Sequence, residues 1–252
     1  MSLLPLEYFQ DYKSQINLLD INFEESLKKN KKLLNLEYLL EISALFSSRI
    51  EGNSLDINSF MNAKNDTFKR NSKDFQEILD LKKAYSFAKT QFLNEKNFLK
   101  IHKILAKNFL IKEKLGKYRK ESVGVFSSEG LVYLALEWEK VGQEMKSFFV
   151  EIENLLNSKL EILEIFYYAS LIHLRFVHIH PFSDGNGRMA RILEKWFLVK
   201  KLNSHLWFLQ TEKYYFENRQ EYYKSLNLGL NYYELDYKKS VNFLIMLPKC
   251  LN

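Results

Sequence analysis

The chain predicts an all-α protein with one small β-hairpin, and three observations lead there. Apolar residues recur at helical spacing through most of the length. Glycine (8) and proline (3) are scarce among 252 residues, whereas a sandwich or barrel needs a turn every few residues. One stretch, 116–135, departs from the helical pattern. There the β-prone runs VGVF and LVYL flank Ser127-Ser128-Glu129-Gly130, a hairpin signature.

Taken in order, positions Leu36, Leu39, Leu40, Phe46 and Ile50 fall on helical spacing. Gly52-Asn53 after Glu51 supplies the chemistry of a helix C-terminus, because glycine enters the left-handed region cheaply. Helices follow over 74–89 and 97–110, the second with Leu99, Ile101, His102, Leu105 and Leu110 as core candidates. A lone hairpin is marginal in water, so 116–135 must lean on helices and reads as a flap. Helical pattern resumes over 136–156, 160–178 and 188–201, the last with Ile192, Leu193, Trp196 and Phe197 on one face. The C-terminal part holds NRQEYYKSLN and an apolar segment, SVNFLIML.

Composition narrows the class further. Hydrophobic residues make up 46% and charged residues 27%, and aromatics at 15% can fill a dense interior. This is the balance of a globular protein. The net charge of +6 suits an acidic partner such as a nucleotide or nucleic acid. The basic residues are spread out, though, and the densest run, Lys28-Lys29-Asn30-Lys31-Lys32, reads as solvated surface. Cys250 is the single cysteine, which excludes an internal disulfide and a cysteine metal cluster. MSLLPLEYFQDYK lacks a basic n-region and a cleavage site, and no apolar run approaches the ~20 residues of a membrane helix. The expectation is a cytoplasmic protein with no membrane partner.

The chemistry concentrates in HIHPFSDGNGRMAR, residues 178–191. Pro181 disfavours the α conformation at the residue before it. The preceding helix should therefore end near His178 and present His180 on an extended link, with Phe182 turned inward as an anchor. Gly185-Asn186-Gly187 directly before a helix exposes successive N–H groups at a positive dipole end, an anion site suited to phosphate. Arg188 and Arg191, three apart, share a helix face there. Cations are disfavoured at that end, so the pair calls for an anion, and a polyphosphate would supply it. Asp184 is placed to hold a divalent cation bridging phosphates, as Mg²⁺ typically is held. Neither a P-loop nor a dinucleotide fingerprint is present. His173, His178 and His180 could be read as metal ligands but lack a second cluster.

HPFSDGNGRMAR resembles the Fic family motif H-P-F-x-[D/E]-G-N-G-R-x-x-R at every fixed position. IHKIL, GKYR and RQEYYKSL resemble further Fic landmarks in the right order, so the likeness covers roughly 97–230. SSRIEGN at 47–53 is similar to the family's inhibitory motif [S/T]-x-x-x-E-[G/N], with Ser47, Glu51 and Gly52 in the fixed places. The resemblance implies a Fic-fold helical bundle with a β-hairpin flap. It divides the chain into N-terminal helices carrying the inhibitory motif (1–96), a Fic core with flap 116–135 and motif 180–191 (97–200), and packed C-terminal helices (201–252).

It also implies a protein adenylyltransferase, moving AMP from ATP to a Ser, Thr or Tyr hydroxyl of a target protein. His180 would be the general base. Residues 185–187, with Asn186, would stabilise the α-phosphate, Arg188 and Arg191 would hold the β- and γ-phosphates, and Asp184 would hold Mg²⁺. Glu51 would reach Arg191 and inhibit. The target would add along the flap as an extended strand. Asn218, Tyr222 and Tyr223 line the adenine pocket on this reading, with structural packing an equal alternative. Other Fic-type phospho-transfer, AMP removal and a non-catalytic nucleotide- or nucleic-acid-binding regulator stay open, as does a homo-oligomer. No helix-turn-helix signature supports nucleic acid as partner.

Overall fold

A computed structural model describes residues 4–18, 22–25, 36–127 and 130–251. The basic run at 28–32 and the hairpin tip at Ser128 and Glu129 lie outside them. The longer helices are α1 (Phe9–Leu18), α2 (Leu36–Ile50), α3 (Ile57–Ala63), α4 (Lys73–Thr90), α5 (Glu95–Leu105), α6 (Trp138–Asn157), α7 (Ile162–Ile179), α8 (Asn186–Lys201), α9 (Thr211–Glu217) and α10 (Arg219–Leu226). The all-α expectation holds. Among the described residues the one sheet is a two-stranded antiparallel hairpin, β1 (Gly124–Ser127) with β2 (Gly130–Leu134).

Local chemistry sets most boundaries. Asp56, Ser72 and Asn94 accept backbone N–H bonds from the first turns of α3, α4 and α5, satisfying donors that no helical carbonyl can reach. Glu161 and Glu164 form a capping box at α7. Gly52, at φ 96°, closes α2. The amide of Asn53 reaches the Ser48 carbonyl and that of Gly52 reaches Arg49, the paired bonds of a Schellman motif.

α7 and α8 pack side by side at the centre. α7 is long and apolar enough to cross a membrane by length and composition, which the sequence reading did not anticipate; 72% of that window is buried inside the fold. Its neighbours explain the apolarity. Ile165, Phe166, Ala169, Ile172 and Phe176 of α7 meet Ile192, Leu193, Trp196 and Phe197 of α8 in a shared core. α2 lies against α4 and α9 and buries Leu40, Ala44, Leu45 and Ile50.

Three expectations shift. The helix expected over 97–110 stops at Leu105, and Leu110 sits in a turn whose amide bonds to Ala106. That break sets Phe109 against Arg188, 3.8 Å from the guanidinium to the ring centre. α8 begins at Asn186 rather than Arg188, because Gly185 takes φ 86° and lets the chain turn straight into the helix. His180 is not extended. It lies in the left-handed region (φ 51°, ψ 56°) as the C-cap of α7, the one positive-φ residue other than glycine among those described. Pro181 excludes the right-handed helix at His180, and hydrogen bonds to its ring and carbonyl hold the left-handed alternative. That conformation costs roughly 1–2 kcal/mol for a residue bearing a Cβ.

Candidate active site

The loop from His180 to Gly185 is held by His102 and by Asn186. Phe182 is fully buried and stacks on His102, 3.7 Å between ring centres at 4°. His102 pins the loop from below. Its Nε2 donates to the Asp184 carbonyl (3.1 Å) and its Nδ1 accepts from the Gly116 amide (3.0 Å). Acceptance at Nδ1 requires the neutral ring, and burial pushes its pKa down to about 4. Asn186 closes the loop on itself, accepting from the Phe182 amide (2.9 Å) and donating to the Phe182 carbonyl (2.8 Å). Its amide is thereby engaged inside the loop. What α8 offers outward is its first backbone N–H groups.

His180 Nδ1 lies 3.0 Å from the Val177 carbonyl. A carbonyl only accepts, so Nδ1 carries the proton and Nε2 is left as the acceptor. Burial lowers the His180 pKa, and the nearby Arg119 charge lowers it too, so the ring is neutral at neutral pH. His180 lines a cavity of about 630 Å³ together with Glu51, Gly187, Tyr222 and Tyr223. Hairpin residues Val125, Phe126, Val132 and Tyr133 form one wall. Tyr133 is buried, and its hydroxyl donates to the His178 carbonyl (2.6 Å), tying the hairpin to the end of α7.

Both arginines are buried, and both already face anions. Arg188 meets Asp184 (3.3 Å) and Glu77 (3.5 Å). Arg191 donates to Ser47 Oγ (2.9 Å), the Ser47 carbonyl (3.0 Å), Tyr222 Oη (3.1 Å) and Glu51 Oε1 (2.7 Å). Burial alone would raise the Glu51 pKa, but the charges of Arg191 and Arg188 outweigh it and hold the carboxylate ionised. Glu51 sits directly over the start of α8, where a Cβ at Gly187 would collide with Oε1. Behind Arg191 a buried chain continues, from Tyr222 to His173 Nε2 (3.0 Å) and from His173 Nδ1 to Glu194 (2.8 Å). Tyr215 also bonds to Glu194.

These bonds account for the histidines. His173 and His178 have both ring nitrogens engaged. Among the described residues no group of three side chains could hold a metal ion. Asp184 is 54% exposed, with Oδ1 near the Gly185 amide (2.5 Å) and Arg188. Tyr222 and Tyr223 line the cavity, and Tyr223 donates to the Ile50 carbonyl (2.8 Å). Asn218 is exposed and bonds back to Tyr214. It precedes the first turn of α10, so Arg219 and Asn227 line the cavity instead. Sequence reasoning took His102 only as a core residue and assigned no role to Arg119, Glu77, Arg219 or Asn227. Signals existed for His102 in IHKIL, for Arg119 in GKYR and for Arg219 in RQEYYKSL; for Glu77 and Asn227 only tertiary proximity reveals them.

An all-α core gathers a neutral histidine, an amide-rich helix start and two arginines around one loop, under a hairpin wall, and the fold is of the Fic type. Residues 92–198 match the Fic/DOC family. A solved Fic family protein from Desulfovibrio desulfuricans G20 superposes with TM-score 0.73 at 22% identity, covering 98% of this chain and 72% of that one. A Fic domain containing signaling protein from Bacteroides thetaiotaomicron VPI-5482 superposes at 0.67 with 20% identity, covering 96% and 92%. In sequence, the chain is 27% identical over 179 residues to the protein adenylyltransferase Fic of Aedes aegypti, covering 69% of this chain. It spans about a third of that relative's length (34%).

Proposed function

We propose that the protein is an adenylyltransferase that moves AMP from ATP to a hydroxyl of a target protein, held inactive by Glu51. The observation that carries this reading is the meeting of His180, the start of α8 and Arg191 around one cavity, with a removable carboxylate between them. The volume, about 630 Å³, lies in the usual range for small-molecule sites, ~300–1,000 Å³.

His180 Nε2 takes the proton of the target hydroxyl. The freed oxygen attacks the α-phosphorus, a new P–O bond forms, and the bond to the β-phosphate oxygen breaks with pyrophosphate as leaving group. The N–H groups at Asn186 and Gly187 meet charge on the α-phosphate. Arg188 and Arg191 hold the β- and γ-phosphates, and Tyr222 and Tyr223 border the base. Positioning and electrostatics carry most of the barrier reduction. The target lies along the hairpin wall as an added strand.

Asp184 fits a Mg²⁺ site. Its carboxylate is a hard oxygen donor, half exposed beside the phosphate-facing amides, and Mg²⁺ commonly uses one or two carboxylates plus phosphate oxygens. When bound, the ion would neutralise charge on the nucleotide. The inhibitory reading of Ser47, Glu51 and Gly52 is supported by the 2.7 Å pair with Arg191, which occupies donors the γ-phosphate needs. We place the protein in the cytoplasm on the same reading, with ATP and a target protein as partners.

The test compares α-³²P-ATP with γ-³²P-ATP in a lysate, using the Glu51→Gly protein. Label from the α position alone is the expected result. Label from the γ position makes the reaction phosphate transfer, and no label from either removes the catalytic reading.

A further inference from the structure

We propose that Arg119 is a positioning residue that fixes the backbone of His180 and joins it to both roots of the hairpin. The proposal rests on His180 as the base of the proposed reaction, but its central test does not require that reaction.

Arg119 lies outside the 180–191 motif, just before the hairpin, and is 3% exposed. Among the described residues it has no carboxylate partner in hydrogen-bond contact; its donors go to main-chain carbonyls. Nε donates to the His180 carbonyl at 2.7 Å. Nη1 donates to the Glu121 carbonyl at 2.9 Å, and Nη2 donates to the Leu136 and Ile179 carbonyls. Its own amide donates to the Pro181 carbonyl at 2.9 Å. Glu121 precedes β1 and Leu136 follows β2, so one guanidinium gathers the entry and exit of the hairpin and the end of α7. A buried cation is costly unless its donors are satisfied, and here the planar fork meets oxygens from three segments.

The consequence falls on His180. A left-handed residue bearing a side chain persists only where its surroundings over-determine it. The α7 bond from the His180 amide to Phe176 fixes one side of that residue, and Arg119 fixes the other. This conformation is what brings Nδ1 to Val177 and leaves Nε2 as acceptor. Arg119 thus selects the tautomer of the base without touching the ring's hydrogen-bonding atoms. The charged and titratable groups near the ring are Arg119, Glu51, Asp184 and His178.

The direct test is ¹⁵N NMR of the imidazoles in wild type, Arg119→Met and Arg119→Lys, with His180 assigned through His180→Ala. Wild type should show a single neutral tautomer with the proton on Nδ1. Folded Arg119→Met should show a mixture at His180 while His173 keeps its wild-type signals. Arg119→Lys, which keeps the charge but not the fork, should lie between them. If Arg119→Met does not fold, the lysine variant decides alone. An unchanged His180 tautomer in either folded variant overturns the proposal, whatever happens to stability.

A second arm measures transfer in the Glu51→Gly background. There Arg119→Met should lower kcat on the order of 100-fold, the usual scale for a misplaced reacting group, with KM for ATP little changed. Guanidinium in the buffer should restore part of the rate. A rise in KM for ATP at constant kcat would contradict the proposal. If Glu51→Gly alone transfers nothing, the adenylyltransferase reading fails, while the tautomer spectra still decide the role of Arg119.

Discussion

At the scale of single residues, His180 combines a strained backbone with a lightly held ring. Among the described residues the ring makes one hydrogen bond, to Val177, and such a bond contributes about 0.5–1.5 kcal/mol. His180→Ala should therefore abolish transfer and leave the unfolding temperature within a few degrees of wild type; labelling and calorimetry check the two halves. Burial sets the pH behaviour by favouring the neutral ring. The rate should be flat above neutrality and fall as pH drops through a midpoint below the ordinary ~6.5. A kcat/KM profile whose acidic limb centres above 7 would rule out His180 as the base.

At the scale of elements, α2 and α8 are stitched together. Ser47 bonds Arg191 and Ser43 bonds Lys195, residues four apart on each helix. Lys195 also pairs with Glu212 at 2.6 Å, both fully buried. On the proposed inhibitory role of Glu51, moving one carboxylate is an easier release than undocking α2. In Glu51→Gly, auto-modification should rise more than tenfold, since a coupling of only ~1.4 kcal/mol changes an equilibrium tenfold. Cleavage by a limiting protease within 36–50 should stay at the wild-type level. Thermal stability should fall, because Arg191 loses its counter-charge. Glu51 is 30% exposed, so the loss should lie below the ~3–5 kcal/mol of a fully buried pair. Rapid cleavage of α2 only in the variant would show release by undocking instead.

At the scale of the whole molecule, two buried neutral histidines make the fold acid-sensitive. Burial holds His102 near pKa 4 and His178 near 3, both below the unfolded value of ~6.5. In that window the unfolded chain binds more protons, so stability rises with pH. Stability should be complete above pH 7 and fall progressively as pH drops from about 6.5 to about 4. At ~1.4 kcal/mol per pKa unit, His102 alone accounts for roughly 3 kcal/mol at full protonation. Unfolding midpoints measured from pH 7 to 4 check this; a flat profile would contradict it. Ligand linkage gives a second measurement. ATP with Mg²⁺ binds the folded state and should raise the melting temperature. The rise should be larger in Glu51→Gly than in wild type, and Asp184→Ala should remove its Mg²⁺ dependence. Equal shifts in all three proteins would dissociate both residues from the nucleotide.

The sequence by itself determined the helices, the single hairpin and the 180–191 loop. These depend on local rules that act within a few residues: apolar spacing, capping side chains, scarce glycine and proline, and a glycine-bracketed turn before a helix. It also pointed at Glu51, through a short motif about 130 residues from the loop it faces. Tertiary structure alone decided how these parts meet. His180 is left-handed rather than extended because carbonyls from three segments converge on Arg119, and no local rule near Pro181 contains that clamp. The helix expected to run to Leu110 ends at Leu105 so that Phe109 can cover Arg188. Arg188 and Arg191 looked like unpaired cations at a positive helix end, yet Glu77 and Glu51 arrive from elsewhere in the fold, and Asp184 from the same loop, to balance them. Asn218 and Arg219 differ by one position, and only the placement of α10 decides which of them reaches the cavity. Burial is a property of the assembled core, and it sets the charge of His102, His178 and His180. Spacing along a chain can name a titratable residue, but the groups that desolvate it come from distant segments.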